Sequence, residues 1–149
     1  MGEPGRLKTR KLRTWLIAAA IFICVVFLGL FAGASWMYEQ TENARTALQT
    51  YGDSLVSKEY EKAYALRDSD LQRLLSESDF RKSHELASSH YGQLEKVVLE
   101  PGQKVGGRNG LTVTIGTRVV YEHAEDRFFV TMKKVGATWF VHDARYQGK

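Results

Sequence analysis

Residues 111–122 read LTVTIGTRVVYE, and their alternation decides the fold. Leu111, Val113, Ile115, Thr117, Val119 and Tyr121 fall on one side of an extended chain, and Thr112, Thr114, Gly116, Arg118, Val120 and Glu122 on the other. Side chains two positions apart share a face of a strand, so the pattern predicts a long strand with one buried face. Phe128, Val130 and Met132 continue the inward set, followed by Trp139 and Val141. A loop over 123–126 sets Tyr121 opposite Phe128, Val119 opposite Val130 and Thr117 opposite Met132. A turn centred on Val135-Gly136 sets Met132 opposite Trp139 and Val130 opposite Val141. Both hairpins place the same residues on one apolar face, and a slip of one residue in either would expose it. Gly106-Gly107 and Asn109-Gly110 mark the turn that precedes the long strand. Gly116 inside it predicts a bend or bulge that curves the sheet around a helix.

Upstream of Leu94 the period is helical. Ala44, Ala47, Leu48, Tyr51 and Leu55 form one apolar stripe, which Gly52 weakens without ending. Ser57 reads as the N-cap of a second helix running through Leu66, with Glu59 and Glu61 at its positive end and Tyr60, Ala63 and Tyr64 on one face. After the break at Asp68-Ser69-Asp70, Ser76 and Asp79 have the spacing of a capping box. They would open a third helix on which Phe80, His84, Ala87 and Tyr91 share a face. The expected class is α+β, with three helices packed on a curved four-stranded antiparallel sheet.

Ahead of this domain, Trp15 to Tyr38 contains no charged residue. About 20 helical residues cross the ~30 Å hydrocarbon layer, so residues 15–38 read as a transmembrane helix. Trp15 at one end and Trp36 with Tyr38 at the other fall where amphipathic rings favour the headgroup layer. The chain's 149 residues carry 21 basic and 17 acidic groups, net +4. Arg6, Lys8, Arg10, Lys11 and Arg13 against Glu3 account for all of that excess, so residues 39–149 are neutral. The positive charge is therefore a cytoplasmic leader, residues 1–14, and not a nucleic-acid footprint. Arg10, Lys11 and Arg13 with Trp15, Trp36 and Tyr38 form the expected membrane interface. A bacterial inner-membrane protein follows, its N-terminus cytoplasmic and residues 39–149 periplasmic or extracellular. The competing reading is a signal peptide cleaved after Ala32-Gly33-Ala34, although the apolar run before that site exceeds the ~7–15 residues of a usual signal core. Gly29 and Gly33 have the G-x-x-x-G spacing that lets two membrane helices approach. The single cysteine, Cys24, excludes an intrachain disulfide.

Three stretches carry a resemblance. Leu55 to Leu66 (LVSKEYEKAYAL) is similar to the second helix of the nuclear transport factor 2-like superfamily, a cystatin-like α+β cone. Ser76-Glu77-Ser78-Asp79-Phe80 resembles the start of its next helix, and Met132 to Val141 (MKKVGATWFV) its final hairpin. The likeness covers about residues 40–146 and implies a membrane-anchored bacterial member. The superfamily includes anchored domains without a known reaction, assembly domains of secretion machines and of penicillin-binding proteins, and a minority of enzymes such as ketosteroid isomerase.

Residues that could carry chemistry are few. His84, His90, His123 and His142 form no H-x-x-x-H pair and have no cysteine beside them in the soluble part, so no metal site and no cofactor is expected. No P-loop, G-x-S-x-G or G-x-G-x-x-G occurs. One enzyme reading survives: an isomerase-type or small-ligand site in which Asp143, continuing the inward register of Trp139 and Val141, acts as base in an apolar cone. Its lining would come from Tyr51, Tyr60, Tyr64, Phe80, Tyr121, Phe128 and Trp139. The preferred reading is a binding or assembly module without catalysis. Val120, Phe129, Phe140 and His142 would cluster on the outward sheet face as the patch for a homodimer or a membrane-protein complex.

Overall fold

The computed structural model describes residues 6–147, with side chains from Ile17 onward. Four helices, α1 (Arg6–Val56), α2 (Tyr60–Ala65), α3 (Ser69–Leu74) and α4 (Glu77–Tyr91), precede four strands. These are β1 (Leu94–Gly106), β2 (Thr112–Tyr121), β3 (Glu125–Val135) and β4 (Thr138–Tyr146), paired antiparallel in the order of the chain. The molecule is thus α+β, with a long apolar N-terminal helix and an open four-stranded antiparallel sheet. It divides into two compact units at Glu39/Gln40. In the first unit a segment beginning at Ile17 is long and apolar enough to cross a membrane. Its large side chains are bare: Phe31 is 77% exposed and Leu28 71%. Trp36 and Tyr38 are exposed as well. The expected interface positions Arg10, Lys11, Arg13 and Trp15 lie outside the described side chains, and residues 1–5 of the basic leader lie outside the described residues.

In the second unit the inner face of the sheet is built by the alternation read from the sequence. Val113, Ile115, Val130, Met132, Trp139 and Val141 are buried together with Ala44 and Leu48 of α1. A smaller cluster joins Leu55, Tyr60, Ala63 and Phe80, packing α2 against α4. The stripe expected of α1 is the one that is buried. Gly52 is part of that contact: a β-carbon on it would lie 2.8 Å from Cβ of Val97, so the absent side chain lets α1 approach β1.

The helix boundaries differ from expectation in two places. Ser57 does not cap α2; its N–H donates to the Asp53 carbonyl in the closing turn of α1, which Lys58 ends in the left-handed region at φ 60°. Glu59 occupies the N-cap of α2 without a capping side-chain bond. The expected break at Asp68-Ser69-Asp70 instead opens α3, because Oδ1 of Asp68 accepts the Leu71 N–H at 3.0 Å. Ser76 caps α4 as expected, its Oγ accepting the Asp79 N–H at 3.2 Å.

The strand partners also move. Thr117 faces Phe128, Ile115 faces Val130 and Val113 faces Met132, because the β2–β3 loop covers residues 122–124 and not 123–126. Met132 faces Val141, since the last turn occupies Gly136-Ala137. Up to the β4 bulge each displacement is an even number of residues and so leaves the inward set unchanged. Three register shifts break the ladders. One falls between Leu94 and Lys96 at the start of β1, one between Leu99 and Gln103 of β1, opposite Gly116, and one in β4 where the pairing steps from Thr131 to Met132. Gly116 is the point of close approach, since a β-carbon there would meet the Glu100 carboxylate at 2.9 Å.

Candidate functional site

The β4 bulge decides where the candidate base goes. Past it, Asp143 pairs with Thr131 and Ala144 with Val130. An extra residue in one strand inverts the alternation beyond it, so Ala144 takes the inward position and Asp143 joins Thr114, Gly116, Phe129 and Thr131 on the outer face. The expectation of Asp143 as a base inside the cone is therefore corrected. Its carboxylate accepts from Nε of Arg145 at 2.6 Å, away from every tyrosine proposed to accompany it.

The interior holds a cavity of about 170 Å3 between the inner sheet face and the helices. Tyr51, Tyr121 and Phe128 line it as expected, with His84, Leu94, Val97 and Thr117. The other expected lining residues lie around it. Trp139 belongs to the main core. Tyr60 stacks on His84 with ring centroids 6.0 Å apart, and Phe80 meets His84 edge-on at 4.6 Å. The Tyr64 hydroxyl, within 3.0 Å of the carbonyls of both Gln72 and Leu75, fastens α2 to the end of α3. Burial pushes the Tyr51 phenol up to about 12, against the pull of the Arg67 charge. Burial, helped by repulsion from Arg67, pushes His84 down from 6.5 to about 4, so its ring is neutral at physiological pH.

Arg67 is the buried residue that sequence reading missed. It is 8% exposed, and its guanidinium carbon lies 4.8 Å from the Phe80 ring centroid and 5.7 Å from that of Tyr64. Its Nη1 is buried with no hydrogen-bond partner. Nothing in the local sequence marks it, because an arginine between two short helices reads as solvated surface.

A second opening, about 900 Å3, crosses the outer face of the sheet. Thr114, Gly116, Phe129 and Thr131 floor it; α3 with His142 and Asp143 borders it on the β4 side, and the bulged Glu100 to Lys104 on the β1 side. Phe129 is 43% exposed at its centre. The expected patch is not contiguous, however. Phe129 lies beside Gly116 and Arg145, Val120 beside Glu125, and Phe140, half-buried, beside Lys133. The revised registers spread these side chains along the face, leaving Phe129 with His142 in the groove.

His142 Nδ1 is bonded to Oδ2 of Asp68 at the groove's edge. Burial would raise the Asp68 carboxyl, but the Leu71 N–H, the His142 bond and the charges of His142 and Lys133 hold it below its ordinary value. Asp68, Asp70 and His142 bring three ligand-type atoms within 4.8 Å of one another, a grouping the sequence spacing did not reveal. Both Asp68 oxygens are already engaged, one in capping α3 and one with His142, which accounts for the cluster structurally.

Fold and site together define an α+β domain, carried behind a long apolar helix, with a small interior cavity and a groove on its uncovered sheet face. No protein-family model matches the chain, and no curated protein is similar to it.

Proposed function

We propose that this chain is a single-pass protein of a bacterial inner membrane, its N-terminus cytoplasmic and residues 39–149 on the far side. We further propose that the second unit is a non-catalytic binding or assembly module of the nuclear transport factor 2-like kind. The observation that carries this reading is the groove on the outer sheet face, left open because α1, α2 and α4 pack on the inner one. Its occupant is a second copy of the chain. Each border carries both signs, Asp70, Asp143 and Arg145 on one side and Glu100 and Lys104 on the other, so acid can meet base across a two-fold contact. Exposed Phe129 and Leu74 supply the apolar area. Two chains held in one membrane also meet at high effective concentration. The bare apolar side chains of the first unit support its place in lipid.

Two measurements test this reading. Protease added to intact spheroplasts is expected to digest the second unit, and full protection would refute the topology. Sedimentation of the detergent-solubilised full chain is expected to give a dimer that Phe129→Ser dissociates with the fold retained; a wild-type monomer would refute the self-association.

A further inference from the structure

We propose that the end of the second unit formed by the β1–β2 loop and the β3–β4 turn docks on the anionic lipid headgroups of the bilayer that anchors the chain. The proposal rests on the membrane reading above and adds a lipid-binding surface to the unit outside the bilayer. Chain length decides which end of that unit reaches the headgroups. Tyr38, the last residue of the apolar run, is two residues from Gln40, a span of at most about 7 Å however the chain is arranged. Gln40, where the second unit begins, is 6% exposed, and its Oε1 accepts from Nζ of Lys134 at 2.5 Å. Lys134 in turn donates its backbone N–H to the Leu111 carbonyl at 2.9 Å. The β3–β4 turn and the β1–β2 loop are thereby tied to the residue that the chain holds beside the interface.

Residues 39–149 are neutral in sum, but the fold sorts their charges. Neither Pro101 to Thr117 nor Arg127 to His142 contains an Asp or Glu. These stretches bring Lys104, Arg108, Lys133 and Lys134 to the Gln40 end, Lys104 pairing with Thr114, Lys133 with Thr112, and Arg108 lying in the loop between β1 and β2. Glu39 and Glu42 are the acids beside Gln40 in the chain. Asp68, which feels the Lys133 charge, is already bonded to Leu71 and His142. The far end of the strands carries Glu95, Glu122, Glu125 and Asp126 with Lys96 and Arg118, and Arg118 is paired with Glu125 at 3.6 Å. At ~3.3 Å per residue, β3 separates the two ends by about 30 Å. Bases within a Debye length of an anionic surface are drawn to it, and the acidic end lies beyond that range. Val105 and Val135, both exposed at the basic end, add apolar side chains that fit the headgroup layer.

The test places a fluorophore on Ala137→Cys in the β3–β4 turn, or on His123→Cys at the far end, in a Cys24→Ser background of the full chain. Quenching by headgroup spin-labelled lipid is then read in nanodiscs. Tethering alone would give the turn the same quenching whatever the lipid charge. In discs of about one-third phosphatidylglycerol, quenching at position 137 is expected to exceed that in phosphatidylcholine discs about twofold or more. In about 1 M salt it should fall to the phosphatidylcholine level. Arg108→Glu combined with Lys133→Glu should remove the difference between lipids, and quenching at position 123 should stay low in every disc. The lipid and salt comparisons keep both bases in place, so they decide the matter even where the double variant misfolds. Quenching at 137 that ignores lipid charge, that survives in the folded double variant, or that is matched at 123 would each overturn the proposal and leave the anchor intact. A chain that fails to co-elute with the discs would overturn the anchor, and this proposal with it.

Discussion

The two faces of the same sheet differ in what covers them. The inner face meets α1 and the α2–α4 pair, and Val113, Ile115 and Met132 on it are almost wholly buried. The outer face carries threonines, charges and one bare phenylalanine over a groove. Period-two alternation assigns residues to faces but does not say which face will hold a site. In this domain each face borders a hollow: the inner a small cavity against the helices, the outer a groove between two bulges.

The contrast is open to direct attack. The largest effect is expected on the inner face: Leu48→Ala, which empties space under β2 and β3, should cost about 2–5 kcal/mol in denaturant unfolding of the full chain. A loss below about 1 kcal/mol would mean that the α1–sheet contact is not the main core.

Acid should act next. His84 titrates near 4 when folded and at its ordinary 6.5 when unfolded, so between these values the unfolded chain binds more protons. Stability is then full above pH 6.5 and falls as the pH drops toward 4, by about 3 kcal/mol in all. His84→Gln should flatten that part of the profile, and an unchanged profile would remove His84 as its cause. Asp68, held below its ordinary value, adds a loss that begins as the pH falls through the unfolded carboxyl's 3.8 and is complete once the folded carboxyl protonates.

Smaller again is the cap of α3. Asp68→Ala should cost about 1–2 kcal/mol, and Asp68→Asn, which keeps an acceptor for the Leu71 N–H, distinctly less. Equal losses would assign the effect to the charge facing His142 and not to the cap.

The smallest effect belongs to the outer face. Thr114→Ala, on the floor of the groove, should change stability by no more than about 0.5 kcal/mol. Thr114 and Thr131 share only a 3.0 Å hydroxyl contact, so a larger loss would show that this face is more integrated than its exposure implies.

The strand LTVTIGTRVVYE determined its own inward set, and Phe128, Val130, Met132, Trp139 and Val141 joined it correctly even though both registers were displaced. Parity survives any even slip, and burial responds to parity. The α1 stripe and the Ser76 cap were legible for similar reasons, being local patterns of period or hydrogen bonding. Tertiary structure alone decided the rest. Whether Asp143 points in or out depends on one extra residue in β4, and sequence alternation carries no mark of where a bulge falls. The burial of Arg67 follows from α2 and α4 closing around it, which required Phe80 and Tyr64 to arrive from separate segments. Asp68 and His142 stand 74 residues apart and meet because the segment after α2 runs beside β4. Sequence patterns carry the face of each element because that is a local property, whereas the charged and polar groups that make a site are brought together only by contacts distant in the chain.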